Sequence, residues 1–240
     1  EDCRHCGQEL AQHYPDGACE AWYGEKPPES ISQFSALGWK IKPALGLSIG
    51  LYWDYKDSRI HWFDVHTMEE TVRDFVETQP LLVSFNGIGF DFVLMRGLLR
   101  RQAERIALNN VPLGAEARTL DHAADRAGAL IDLCDTFKTQ CAASYDLLAE
   151  IWKVDPGRKF ERGLNSLDAI AQANGLGAKL SHGAKAPRDW RDGQYAKVLN
   201  YCQDDVYKTK ALFEMACEGK AILRGDGAPI TLPLPQLEGA

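Results

Sequence analysis

The apolar run Pro80-Leu-Leu-Val-Ser-Phe85 stops at Asn86-Gly87, and Asp91 then opens a stretch in which Phe92, Met95, Leu98 and Leu99 are spaced to share one helical face. A strand that feeds straight into a helix restricts the chain to an α/β or α+β architecture, because the strand needs a sheet and the helix must cover it. Upstream, Leu47-Ser-Ile-Gly-Leu-Tyr-Trp53 and Arg59-Ile-His-Trp-Phe63 are β-rich runs on either side of the turn formers Asp54-Tyr-Lys-Asp-Ser58, which predicts an antiparallel hairpin. Thr67 with Glu70 has the spacing of a capping box, and Val72, Phe75 and Val76 give the helix behind it an apolar face. Downstream, a long helix is expected from about Ala115 to Phe137. Tyr145 to Trp152 reads as a short strand or turn entering a helix, and Leu164 to Ala173 as a short helix. Trp190 to Cys217 reads as one long helix with a buried stripe of Tyr195, Val198, Leu199, Cys202, Val206 and Phe213. Ile230 to Leu232, between Pro229 and Pro233, suits a final edge strand.

A chain of 240 residues can hold one large α/β domain and a small appendage. Residues 1–30, polar and rich in Cys, His, Gly and Pro, are expected to form an irregular segment, with residues 31–240 as the main domain. The 45% hydrophobic and 25% charged content is that of a globular protein, and no apolar run reaches the roughly 20 residues of a membrane span, so no membrane partner is expected. The opening Glu-Asp-Cys-Arg-His-Cys has neither the basic start nor the apolar middle of a secretory signal, so the expected location is cytoplasmic. Seven cysteines, with Cys134, Cys141, Cys202 and Cys217 on helical segments, argue for reduced thiols. A net charge of -7 speaks against bulk electrostatic coating of nucleic acid, yet suits a site built from carboxylates that bind divalent cations.

Two constellations stand out. Asn86-x-x-x-Phe90-Asp91 lies where the strand ends and the helix starts, the usual place for ligand sites in α/β sheets; a lone Asp there also serves as a helix cap. Tyr201 and Asp205, four apart on a helix, project from one face beside the apolar stripe; solvated acids on an amphipathic helix are the plainer reading.

The string LLVSFNGIGFDFVLM resembles the second motif of the RNase H-like (DnaQ-like) 3′→5′ exonucleases that include the proofreading domains of family B DNA polymerases. NYCQDDVYKTKALF resembles their third motif in its tyrosine-bearing, DEDDy, version, and the likeness extends over roughly residues 45 to 235. It implies an RNase H-like mixed β-sheet flanked by helices, and hydrolysis of DNA or RNA 3′ ends at a pair of Mg²⁺ or Mn²⁺ ions. Asp91 and Asp205 would hold the ions, Tyr201 would orient the attacking water, and Asn86 and Phe90 would line the path of the terminal nucleotide. The family's first motif is Asp-x-Glu; by position its nearest counterpart here is Ala18-Cys19-Glu20, which offers Glu20 and has Ala18 in the place of the Asp. Three readings stay open: an active exonuclease, a nucleic-acid-binding or interaction module that kept the fold without the first acid, or an RNase H-like endonuclease.

Lys179, Lys185 and Arg188 belong to a basic run with His182 and Trp190 interleaved, directly before the Tyr201 helix, where it can hold a phosphate backbone or simply be solvated. Cys3 and Cys6 form a CxxC half-site that a structural Zn²⁺ would complete with His13 and Cys19; free thiols are the alternative.

Overall fold

A computed structural model describes residues 47–109, 117–161, 163–178, 180 and 185–235. Glu20, Lys179, His182 and the proposed zinc ligands Cys3, Cys6, His13 and Cys19 lie outside the described residues, as does the segment 1–30. The chain divides into two compact units. One takes in Phe63–Pro80 and Gly89–Ala142, the other Ile49–Trp62, Leu81–Ile88 and the chain from Ala143 onward.

The first unit is helical. α1 (Met68–Thr78) buries Met68, Val72 and Phe75, one residue per turn. α2 (Asp91–Asn109) and α3 (Ala117–Ala142) pack along each other, with Phe92 edge-on to Phe137 at 6.0 Å between ring centroids. α3 runs past the expected end at Phe137, because Gln140 is held there: its side-chain amide donates to the carbonyls of Phe75 (2.9 Å) and Pro80 (3.2 Å) and covers the end of α1. The expected capping box does not form. Thr67 instead exchanges hydrogen bonds with Asp64, whose carboxylate accepts from the Thr67 and His66 N–H groups and from the Thr67 hydroxyl. Asp64 is thus a loop organiser that starts α1.

Glu69 on α1 ties this unit together by accepting from Arg73, from Gln102 on α2 and from Arg126 on α3. Burial works to raise its carboxyl, but the hydrogen bonds from Arg126 and Arg73 outweigh it and the net shift is downward. A depressed folded pKa adds stability above the unfolded value, about 4.3, that is lost as pH falls through the folded value. Urea unfolding should therefore show Glu69→Gln clearly less stable than wild type at pH 7. The gap should close as both are taken to pH 3; an equal gap at both pH values would remove the electrostatic role.

Among the described residues, the strands lie in the second unit, apart from the last residue of β2, Phe63. β1 (Gly50–Asp54) and β2 (Arg59–Phe63) form the expected hairpin. β3 is only Val83–Ser84, the core of the longer run the sequence suggests, and pairs in parallel with β4 (Tyr145–Asp146), Val83 against Tyr145 and Ser84 against Asp146. β5 (Ile222–Leu223) and β6 (Pro229–Ile230) pair antiparallel around Gly225-Asp-Gly227. The mixed α/β class holds, but the strands of the described residues make three two-stranded sheets and not the single mixed sheet expected. Among the described residues, this unit also holds the α-helices α4 (Leu147–Val154), α5 (Leu167–Ala173), α6 (Ala186–Arg191) and α7 (Tyr195–Cys217). The core that α4, α5 and α7 share joins Ile151, Ile170, Leu212 and Ala216 to Tyr145, Ile222 and Ile230.

The helix expected from Trp190 to Cys217 is broken. Gly193 at φ 74° ends α6 in the left-handed conformation that a helix C-terminus favours, and α7 restarts at Tyr195. The buried line of α7 is Val198, Lys208, Leu212 and Ala216, while Tyr195 is 52% exposed. The opposite side packs on the hairpin, with Tyr207 6.0 Å from Trp53 and the Lys210 ammonium 4.9 Å above the Trp53 ring.

Gly225 sits where nothing larger fits. A Cβ there would meet the Ala169 Cβ at 2.8 Å and the Leu164 carbonyl oxygen at 3.0 Å, because the Gly225 N–H already bonds that carbonyl. Gly225→Ala should lower stability by about 1–3 kcal/mol in thermal unfolding, whereas Gly157→Ala, whose Cβ would meet the Asp155 carboxylate at an ordinary contact distance of 3.7 Å, should cost well under half of that.

Candidate functional site

The junction after β3 is organised by a residue that sequence reasoning passed over. Asp146, 1% exposed, closes β4 and caps α4. Its Oδ1 accepts from the N–H groups of Asn86 (3.0 Å) and Ala149 (3.1 Å); its Oδ2 accepts from the Ser84 hydroxyl (3.0 Å) and the Ile88 N–H (3.0 Å). Asn86 takes φ 69°, a left-handed backbone that Asn tolerates better than most residues. The parallel register that sets Ser84 against Asp146 brings the carboxylate to the loop. The sequence carried one trace of this: an Asp directly before the apolar Leu147-Leu148, the pattern of an N-cap.

Asp91 is the first residue of α2 and is exposed, so its carboxylate stands in the favourable field of a helix N-terminus. Phe90 precedes it, half-buried.

On α7, Tyr201 and Asp205 are both half-buried and one turn apart on a common face, as the spacing predicts. The neighbouring Asp204 is engaged otherwise. Lys208 is 4% exposed, and its ammonium pairs with Asp204 while donating to the Ala178 carbonyl at 2.7 Å. The two consecutive aspartates therefore differ in kind: Asp204 neutralises a buried cation, and Asp205 shares the tyrosine's face.

Of the basic run, Lys185 at the N-cap of α6 and Arg188 on it are exposed, and Trp190 of the same helix meets Tyr195 edge-on at 4.7 Å. Asp189 is buried and held by the Lys197 ammonium at 2.9 Å. Arginines 96, 100, 101 and 105 lie on α2, with Arg100 paired to Asp135.

Asp54, Asp57 and His61 bring ligand-type atoms within 4.8 Å of one another at the hairpin turn. Asp54 accepts from the Lys56 N–H and Asp57 from the Arg59 N–H and His61, so these groups close the turn that the sequence marks there. No helix among the described residues is long and apolar enough to cross a membrane.

A family model described as a predicted 3′-5′ exonuclease related to the exonuclease domain of PolB matches residues 64–224. The chain belongs to this family. The match takes in Asn86, Phe90, Asp91, Asp146, Tyr201 and Asp205, and the capping interactions of Asp64 stand at its first residue. Glu20 lies before it. No curated protein and no solved structure matches the chain. Membership gives the chain a nuclease-like function acting on nucleic acid, in agreement with the motifs.

Proposed function

We propose that the chain is a metal-dependent 3′→5′ exonuclease that releases 5′-mononucleotides from single-stranded or frayed 3′ ends of DNA or RNA. The observation that carries this reading is the Tyr201–Asp205 face of α7, within the family match, with Asp204 set apart by Lys208. Carboxylate oxygens suit hard cations, so Asp91 and Asp205 are the residues to hold Mg²⁺ or Mn²⁺, with Glu20 as a third acid. When bound, a pair of such ions supplies an activated water and charge stabilisation at the leaving 3′-oxygen. Tyr201 orients the attacking water through its hydroxyl. Asn86 and Phe90 bound the terminal nucleotide, Phe90 offering an aromatic face to base or sugar. Lys179, Lys185 and Arg188 neutralise phosphates of the incoming strand.

A 5′-labelled oligonucleotide incubated with Mn²⁺ should shorten stepwise from its 3′ end and stop doing so in EDTA, while a circular single strand stays intact. Cuts in the circle would instead indicate an endonuclease. Ala18 standing where the family's first Asp belongs favours a second reading, a nucleic-acid-binding module without hydrolysis. Its mark is oligonucleotide binding with no shortening under any divalent metal.

A further inference from the structure

We propose that Asp146 is a positioning residue of this site: its buried carboxylate sets the backbone of Asn86–Ile88, the segment that leads into Asp91. The proposal rests on the exonuclease reading for its consequence and on geometry for its substance.

Three of the four hydrogen bonds to the Asp146 carboxylate come from Ser84, Asn86 and Ile88, across 58 to 62 residues of sequence, and the fourth from its own helix at Ala149. A carboxylate has about four acceptor sites, so this one is filled by protein donors and has no lone pair left to serve as a metal ligand. Asp146 therefore does not replace the family's missing first acid, although it is a buried acid next to the second motif. Its work is conformational. Asn86 sits at φ 69°, a region that a flexible loop would leave, and the bonds to the Asn86 and Ile88 amides on either side of Gly87 hold it there. Those amides have no partner in a strand ladder, since β3 ends at Ser84. One carboxylate thus joins the end of β3, the loop after it and the start of α4. A loop held this way presents Asn86 in one arrangement, and small misplacements of such groups reduce turnover strongly.

The test compares the full-length wild type, Asp146→Asn and Asp205→Asn. Asn keeps the shape of Asp and remains a good N-cap, so α4 is retained; its NH₂ cannot accept from the Ile88 amide. Hydrogen–deuterium exchange should show protection at residues 86–88 falling at least tenfold in Asp146→Asn, with α5 and α7 unchanged, and staying at wild-type level in Asp205→Asn. In the oligonucleotide assay kcat of Asp146→Asn should fall on the order of 10- to 100-fold, with KM shifting less than about threefold. Wild-type exchange at 86–88 in Asp146→Asn overturns the proposal, as does faster exchange with undiminished kcat. Should the wild type itself not hydrolyse, the exonuclease reading fails separately. The exchange contrast then decides alone whether Asp146 holds the loop, local loss supporting it and none overturning it.

Discussion

Asp205→Ala should abolish Mn²⁺-dependent shortening of an oligonucleotide, by on the order of 10³-fold, while leaving the protein folded. The size follows from the proposed role of Asp205 as an ion ligand. A carboxylate that helps hold a catalytic ion is used in every turnover, and its loss exceeds the 10- to 100-fold typical of residues that only support such ligands. Asp205 stands one turn from Tyr201 on the side of α7 that also carries Val198, Lys208 and Leu212, but it is only half-buried, so its truncation should lower unfolding free energy by no more than about 2 kcal/mol. The measurement is an initial rate at saturating Mn²⁺ beside a thermal melt. Shortening that survives the substitution would sink the assignment of α7 to the chemistry.

Asp204→Ala, one residue earlier, should do the reverse. Removing Asp204 leaves the nearly buried Lys208 ammonium with only the Ala178 carbonyl as a partner among those described above, and stranding a buried charge in this way costs roughly 3 kcal/mol. In a chain of this size that lowers the melting temperature by about 6–12 °C. At 25 °C the rate per folded molecule should stay within about twofold of wild type, because the Asp204 carboxylate is committed to the Lys208 ammonium, whereas Asp205 stands one turn from Tyr201. The double substitution Asp204→Ala/Lys208→Met should recover most of the loss, since removing both charges leaves none stranded. A stable Asp204→Ala that has lost activity would mean that the two aspartates have exchanged roles.

Much of this was legible beforehand. The hairpin turn at Asp54–Ser58, α2 opening at Asp91 and the Tyr201–Asp205 face all follow from local spacing and turn chemistry, and each is present; the short helix expected from Leu164 to Ala173 is present too, starting three residues later at Leu167. Errors arose where a local pattern met a nearby competitor. Thr67 had the residue type of a cap, but Asp64 three residues earlier offered its hydroxyl and N–H a stronger acceptor. Trp190 to Cys217 had continuous apolar periodicity, but Gly193 at φ 74° stops α6 and turns the chain before α7. The missing element of the site reading was Asp146, whose partners Ser84, Asn86 and Ile88 stand far away in sequence and show no period linking them to it.

The sequence by itself determined the family, the kinds of element and which residues carry carboxylates and a tyrosine on a shared helical face, since these depend on neighbours within a turn or a strand. Only the tertiary structure decided how Asp146 and Asp204 are engaged. The parallel pairing of β3 with β4 fills the Asp146 carboxylate with protein donors, and the burial of Lys208 against the Ala178 carbonyl commits Asp204 to an ion pair. Both outcomes turn on hydrogen-bond partners brought from distant parts of the chain. A carboxylate's role is set by the donors around it, and those are chosen by packing and not by its neighbours in sequence.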